Sequence, residues 1–203
     1  ITADKLAAHE KIDRPTGLVA LLPGSRKQEI QKKLPVMLSV SRHFPDYTFI
    51  VAAAPGLDLS FYQPFLEAHP NVQLRQGHTY DILLESDAAL VTSGTATLET
   101  ALLGIPEAVC YKGNAISYQI AKRLIKIPFI SLVNLILNKL VVREFIQDEM
   151  NEANLTQELK ELLTNQERRS QMLEDFQQLR TMLEAGGSAS ENAARIIVRE
   201  LAK

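Results

Sequence analysis

The chain has 203 residues, of which 46% are hydrophobic and 23% charged, as in ordinary globular domains that bury a core. Its net charge of −2 excludes a general attraction to nucleic acid, so an anion would bind only at a local site. Cys110 is the single cysteine and the four histidines lack ligand spacing, which excludes a disulfide framework and disfavours a metal site, so we expect neither a metal nor a cofactor.

Apolar runs alternate with amphipathic stretches along the first two thirds of the chain. Short apolar runs predict strands at 17–22, 47–54, 71–77, 87–94 and 105–112. Helical spacing predicts helices at 28–44, 59–69, 80–86, 95–104 and 115–126. Strands that alternate with helices form right-handed βαβ units, which predicts an α/β fold with an open, Rossmann-like parallel sheet and helices on both faces. Beyond about residue 141 the pattern predicts polar helices only, at 153–165, 167–185 and 190–202.

The stretch PGSR at 23–26 follows the first predicted strand. In an open parallel sheet, ligands bind outside the carboxyl ends of the strands, where helix N-termini point their free N–H groups. Gly24 permits a tight turn, and Arg26 offers a planar fork suited to phosphate. Ser25 and Gln28 also fit a capping box, S-x-x-Q, at the start of a helix. A simple capped turn and an anion site are equally compatible with these residues.

The stretch TSGTATLE at 92–99 lies at a second strand end. Backbone N–H groups there, the hydroxyls of Ser93 and Thr95 and the positive end of the following helix could hold a diphosphate. Glu99, one turn into the helix, could accept hydrogen bonds from a ribose diol, or could simply complement the helix dipole. Neither this stretch nor PGSR is a Walker A loop or a G-x-G-x-x-G motif, which disfavours an ATPase and a simple NAD enzyme.

Three stretches together resemble a known family: LLPGSRKQEI, then SDAALVTSGTATLETALLGIP, then ISLVNLI. They are similar to the carboxyl-terminal half of the lipid-A-disaccharide synthases, which are GT-B glycosyltransferases. AKRL at 121–124 and Gln147 also fit this pattern, so the resemblance extends over nearly the whole chain from about residue 17. It implies a nucleotide-sugar-binding domain at 17–150 and carboxyl-terminal helices at 151–203 that pack on another domain or a partner protomer. Residues 1–16, which are polar and begin with Ile1, are expected to be a linker or the remnant of a preceding domain.

The resemblance also implies an activity: transfer of a 2,3-diacylglucosamine unit from UDP to a lipid X-type acceptor, diacylglucosamine 1-phosphate. The product would be the β-1,6 lipid A disaccharide. Arg26 would stabilise the leaving UDP, whereas the general base is expected in the missing amino-terminal domain. This chain alone would therefore bind UDP without turnover.

The same resemblance implies which residues contact the UDP-sugar donor. Gly77 would lie near uracil and Glu99 at the ribose. Asn134 and Gln147 would line the donor sugar or the cleft between domains. The whole set is Gly24, Ser25, Arg26, Gly77, Ser93, Gly94, Thr95, Ala96, Glu99, Asn134 and Gln147.

Because the substrates implied by the resemblance are acylated, the enzyme is expected to act at a membrane surface, the cytoplasmic face of the inner membrane of a Gram-negative bacterium. Isoleucines and lysines at 112–127 would suit an anionic interface, although a helix buried on the sheet with its lysines in solvent is the more probable interpretation of that stretch. Exchange of carboxyl-terminal segments within the family implies a homodimer. Two other functions remain open: another UDP-sugar GT-B enzyme, such as a UDP-GlcNAc epimerase, and a non-catalytic nucleotide-binding module.

Overall fold

The computed structural model describes residues 16–113 and 128–185. The strands are β1 (Leu18–Leu22), β2 (Thr48–Ala53), β3 (Val72–Gln76), β4 (Ala88–Thr92), β5 (Glu107–Tyr111) and β6 (Glu144–Ile146). The described helices are α1 (Lys27–Ser41), α2 (Gln63–Leu66), α3 (Thr79–Leu84), α4 (Thr95–Leu102), α5 (Leu132–Leu137), α6 (Glu152–Thr164) and α7 (Gln166–Ala185). Single 3₁₀ turns occupy Leu59–Phe61 and Gln147–Glu149.

The six strands form one parallel sheet in the order β3-β2-β1-β4-β5-β6. β2 and β3 extend the sheet on one side of β1, and β4, β5 and β6 extend it on the other side. The order reverses between β1 and β4, so the loops that follow these two neighbouring strands diverge and leave a crevice at the carboxyl edge of the sheet. The predicted α/β class and open parallel sheet are confirmed.

Both faces of the sheet are covered, because successive side chains of a strand point to opposite faces. Residues of β1 and β2 on one face, such as Leu21 and Val51, pack against α1 and α6. Their neighbours Leu22 and Ile50 belong to a second buried cluster that includes Ile82 of α3. The central strands β1, β2 and β4 are therefore nearly wholly apolar, which is the pattern of a doubly covered parallel sheet, whereas the edge strand β3 is partly exposed.

Three elements differ from the sequence prediction. The chain returns to the sheet beyond residue 141, because β6 pairs with β5, so the expectation of helices only in that region is wrong. The apolar stretch at 127–137 includes a helix, α5, that was not predicted. The predicted helix 59–69 is instead a 3₁₀ turn followed by the short helix α2, whose first turn contains Pro64, a residue that is tolerated there because it lacks an N–H.

The other predicted elements inside the described residues are found within a few positions of their expected ends. Residues 1–15 of the predicted linker 1–16 and the predicted helices 115–126 and 190–202 lie outside the described residues.

Candidate functional site

A cavity of about 440 Å³ opens at the carboxyl edge of the sheet, where the strand order reverses. Four loops contribute to its wall, those that follow β1, β2, β3 and β4. The lining residues are Leu22, Gly24, Ser25, Arg26, Glu29, Ala52, Ala53, Ala54, Pro55, Thr79, Thr92, Ser93, Gly94, Thr95 and Ala96. The two strand ends that the sequence singled out, PGSR and TSGTATLE, thus meet in one cavity.

The loop after β1 brings the backbone close to the cavity at Gly24. This residue has φ +110°, and a Cβ added to it would lie 2.8 Å from Oε2 of Glu29. Only glycine adopts this conformation readily and leaves this space to the carboxylate. Gly24 therefore lets the loop fold down onto the side chain of Glu29.

Arg26 stands at the entrance of the cavity as the N-cap residue of α1. Its side chain is 82% exposed, and its Nη1 donates to Oε1 of Glu29 at 3.1 Å. The predicted capping box of Ser25 is wrong, because the helix begins one residue later than that motif requires and no side chain caps it. Ser25 is exposed in the cavity wall instead, where its hydroxyl is available to a ligand.

The loop after β4 carries the second half of the site. Gly94 is the N-cap residue of α4, and Ser93 is held by a bond from its N–H to the carbonyl of Cys110 at 3.1 Å. The first N–H groups of a helix have no acceptor within the helix, and the helix dipole makes this end positive. The N-terminus of α4, with Thr95 and Ala96, therefore faces the cavity as a site suited to an anion.

A buried lysine lies beneath this site, and the sequence analysis did not identify it. Lys33 of α1 is only 4% exposed, and its Nζ donates to Oγ1 of Thr92 and lies 3.7 Å from Oε2 of Glu29. Burial lowers the pKa of Lys33, whereas the nearby Glu29 carboxylate acts against that shift. A signal was present: Lys33 falls on the apolar stripe of α1 between Ile30 and Leu34, where a lysine is out of place.

Two predicted residues lie near the cavity without lining it. Gly77, with φ +74°, follows β3 at the same edge, and Thr79 two residues later reaches the cavity wall. Glu99 is partly buried on α4, one turn beyond the residues that line the cavity. The structure therefore brings Gly24, Ser25, Arg26 and Ser93 to Ala96 together, with Gly77 and Glu99 at the periphery.

Asn134 occupies a buried position rather than a cleft wall. It is 0% exposed, and its Oδ1 accepts hydrogen bonds from the N–H groups of Val141 and Val142 at 2.8 and 3.0 Å. Its Nδ2 donates to the carbonyl of Val142 and to Oε1 of Glu144, at 2.7 and 2.9 Å. The side chain thereby holds the segment that leads into β6.

Gln147 follows β6 at the carboxyl edge of the sheet, in an unusual backbone conformation. Its φ is +54°, in the left-handed region that non-glycine residues seldom occupy. Its Nε2 is buried and has no hydrogen-bond partner among the residues that the structure describes. Buried side-chain amides usually have a hydrogen-bond partner, so the unpaired Nε2 marks Gln147 as a candidate site residue.

A larger cavity, of about 750 Å³, lies between α7 and the segment at 139–143 that precedes β6, and so at the amino edge of the sheet. Among its lining residues, Lys139 pairs with Asp175 at 2.7 Å, and Arg143 and Arg168 both contact the buried Glu158 of α6. In residues 16–113 and 128–185 no group of three His, Cys, Asp or Glu side chains is arranged to hold a metal ion. Within the same ranges, none of the helices has the length and apolar character needed to cross a bilayer.

Known proteins share sequence and fold with this chain. The family model for lipid-A-disaccharide synthetase matches residues 2–199 of the chain. The lipid-A-disaccharide synthase of Syntrophus aciditrophicus (strain SB) is 41% identical over 181 residues, which cover 86% of this chain and 47% of that protein. The chain thus spans about half the length of the curated relatives that it matches.

Two solved structures show the fold alone, because their sequence identity to this chain is low. Anabaena HepE, solved in complex with UDP and glucose, is 12% identical with a TM-score of 0.54 over 88% of this chain and 48% of that chain. WaaG, a glycosyltransferase involved in lipopolysaccharide biosynthesis, is 16% identical with a TM-score of 0.53 over 97% of this chain and 51% of that chain. These likenesses confirm the predicted fold of GT-B glycosyltransferases.

Proposed function

The chain belongs to the lipid-A-disaccharide synthase family, and from that premise we propose that it is the donor-binding half of a hexosyltransferase. The cavity at the carboxyl edge would bind the UDP of the sugar donor. One observation carries this proposal: Arg26 and the N-terminus of α4 reach a single cavity from two different strand ends. Each feature alone is common, but together they form a site for a ligand with more than one phosphate.

The proposed reaction moves a 2,3-diacylglucosamine unit from UDP to the 6-hydroxyl of a diacylglucosamine 1-phosphate acceptor. The bond between the sugar and the β-phosphate breaks, a β-1,6 glycosidic bond forms, and UDP leaves with the bonding electrons. Negative charge then grows on the diphosphate. Arg26 and the N–H groups of Gly94 to Ala96 would stabilise that charge in a site already oriented for it.

Residues at the periphery would recognise the rest of the donor. Glu99 would accept hydrogen bonds from the ribose, and Gly77 would present backbone groups to uracil. The unpartnered Nε2 of Gln147 supports a place for that residue beside the donor sugar. Asn134 would contribute by holding the segment that ends at Gln147 rather than by contact with the sugar.

The acceptor hydroxyl must lose a proton as the new bond forms, which requires a base within hydrogen-bond reach. We assign that base to the amino-terminal half of the enzyme, as in the family. The 203-residue chain would therefore bind UDP but show no transfer until that half is supplied.

The acylated substrates place the proposed reaction at a membrane surface, at the cytoplasmic face of the inner membrane of a Gram-negative bacterium. The stretch 112–127, for which a lipid contact and a helix buried on the sheet both remain open, and the helix 190–202, a candidate for contact with another domain or a partner protomer, lie almost wholly outside the described residues. Both assignments rest on the family and on the substrates.

Calorimetric titration of the chain with UDP, UMP and ADP tests the proposal. We expect UDP to bind most tightly, because it combines uracil with two phosphates. Arg26→Ala should weaken UDP binding about tenfold or more and should affect UMP less, since it removes a charge-assisted contact to the diphosphate. Arg42→Ala is the matched control, because Arg42 lies at the other end of α1 and is 60% exposed.

Two results would count against the proposal. No heat at millimolar UDP would exclude a UDP-binding half, and equal loss in Arg26→Ala and Arg42→Ala would exclude Arg26 as a phosphate ligand. If UDP binds, formation of disaccharide on addition of the amino-terminal half separates a lipid-A-disaccharide synthase from another UDP-sugar enzyme.

A further inference from the structure

Lys33 is a buried lysine in the floor of the proposed nucleotide site. It is 4% exposed, on a face of α1 that otherwise carries Ile30, Leu34 and Met37 into the core. Burying an ammonium group is costly unless it is paired and hydrogen-bonded. Both partners that offset this cost, Thr92 and Glu29, line the cavity.

The contact with Thr92 connects the two halves of the site. Nζ of Lys33 donates to Oγ1 of Thr92, and this hydroxyl in turn is 3.5 Å from the carbonyl of Cys110, to which it donates. Lys33 belongs to the helix that follows the PGSR loop, whereas Thr92 immediately precedes Ser93 and Gly94. The lysine therefore ties the helix after one phosphate loop to the strand that ends in the other.

Glu29 lies between two cations. Its Oε1 accepts from Arg26 at 3.1 Å, and its Oε2 lies 3.7 Å from Nζ of Lys33. Its carboxylate also occupies the space into which a side chain on Gly24 would project. In the structure, therefore, the Glu29 carboxylate binds the Arg26 guanidinium, which the proposed function assigns to the ligand phosphate.

A ligand phosphate and Glu29 would compete for Arg26. When Arg26 turns to the phosphate, the Glu29 carboxylate would lose its exposed partner and remain beside a second anion, which is unfavourable. Lys33 would remain next to it and would keep it neutralised. Arg26, Glu29 and Lys33 together carry a net charge of +1, whereas Arg26 and Glu29 without Lys33 carry a net charge of zero.

We propose that Lys33 is a positioning residue of the diphosphate site, one that fixes Thr92 beneath the cavity and retains Glu29 when Arg26 transfers to the ligand. The proposal rests on the proposed function, because it requires a phosphate-bearing ligand in this cavity. It predicts that Lys33 contributes to the binding of UDP but not to that of uridine, which has no phosphate.

The test is titration of the 203-residue chain with UDP and with uridine, for the unaltered chain and for Lys33→Met. We expect Lys33→Met to weaken UDP binding about tenfold or more and to change uridine binding less than about twofold. Lys32→Met is the matched control, because Lys32 is the neighbouring residue on α1 and is exposed. Thermal unfolding of each variant shows whether it is folded at the titration temperature.

A double-mutant cycle with Glu29→Gln separates the charge effect from damage to packing. If Lys33 neutralises Glu29, the double variant should bind UDP severalfold more tightly than Lys33→Met alone, because no uncompensated carboxylate remains. General damage to the helix would not be repaired by Glu29→Gln. Equal UDP affinity of the unaltered chain and Lys33→Met, or parallel losses for UDP and uridine, would overturn the proposal.

Thr92→Val provides a second variant if Lys33→Met does not fold. It removes the oxygen that Lys33 contacts and preserves the size of the side chain. We then expect weaker binding of UDP with uridine unaffected, and unchanged UDP affinity would overturn the proposal. Failure of the unaltered chain to bind UDP is a different result, which removes the proposed function itself.

Discussion

Two clusters of charged side chains deal differently with the cost of burying an ionisable group. At the larger cavity Glu158 of α6 is fully buried, with Arg168 donating to both of its oxygens and Arg143 3.6 Å from Oε2. At the smaller cavity Lys33 is almost as deeply buried, but its partners Thr92 and Glu29 face an opening and the adjacent Arg26 is exposed. In the first cluster the buried carboxylate is fully paired, whereas in the second the exposed guanidinium of Arg26 lies beside an opening in which we propose that an anion binds.

The proposed function places the donor in the smaller of the two cavities, so the choice between them rests on their charges and not on their size. The three cationic residues that line the cavity of about 750 Å³ are each paired with a carboxylate, whereas the cavity of about 440 Å³ combines an exposed guanidinium with a helix N-terminus. We expect substitutions in the first cluster to change stability and substitutions in the second to change ligand binding.

The largest effect on stability is expected for Glu158→Ala. Loss of the carboxylate removes two charge-assisted hydrogen bonds from Arg168 and the ion pair with Arg143, whose side chains are 30% and 56% exposed. Because the freed guanidinium groups are partly solvated, we expect a loss of about 3 kcal/mol of unfolding free energy, mainly from the hydrogen bonds. Urea denaturation measures the loss, and UDP titration below the transition should show an unchanged affinity. A large fall in UDP affinity in the folded variant would remove the distinction between the two clusters.

Gly24→Ala should affect both properties, with ligand binding the more sensitive. The added Cβ meets Oε2 of Glu29 at 2.8 Å, and the residue would be held at φ +110°, a strain of about 1–3 kcal/mol. Displacement of Glu29 should weaken UDP binding as well. Gly56→Ala is the control, since a Cβ there meets nothing within 4 Å. Equal behaviour of the two variants in denaturation and titration would contradict this prediction.

Glu107 of β5 is a third buried ionisable group and, unlike Glu158 and Lys33, has no hydrogen-bond partner among the described residues. It is 0% exposed, and neither oxygen has a hydrogen bond within the described part of the chain. Burial raises the pKa of Glu107 well above its ordinary value. Above pH 4.5 the folded state therefore retains a proton that the unfolded state releases, so the free energy of unfolding falls as the pH rises, by up to about 1.4 kcal/mol per pH unit.

Glu107→Gln should abolish that contribution, because an amide does not ionise. Urea denaturation of both chains between pH 5 and pH 8 measures the two slopes. Glu107→Gln should lose less stability than the unaltered chain over this interval. Parallel slopes would show that another group controls the pH dependence.

The smallest effect is expected for Arg143→Ala. Arg143 is 56% exposed and only 3.6 Å from Glu158, which retains both contacts from Arg168. An exposed member of such a pair contributes less than about 1 kcal/mol, so denaturation should show little change. A loss as large as that of Glu158→Ala would mean that Arg143 shares the buried pairing equally.

Much of this fold was predictable because it depends on local patterns. Four of the six strands are short, mainly apolar runs bounded by loops, and β3 is a weaker run. Each of these five is followed by a helical pattern, which predicts parallel strands. β6 was not predictable in this way. Glu144, Phe145 and Ile146 are too few to form a periodic pattern, and they become a strand only because the edge of β5 is available for pairing.

The candidate site was likewise predictable only in part. The sequence by itself determined that PGSR and TSGTATLE stand at strand ends, since each follows an apolar run. Only the tertiary structure decided that these ends are neighbours, because the sheet order places β4 beside β1 although about 70 residues separate their loops. It also decided the roles of Lys33 and Asn134, since burial and pairing depend on which elements pack together and not on the residues adjacent in the chain.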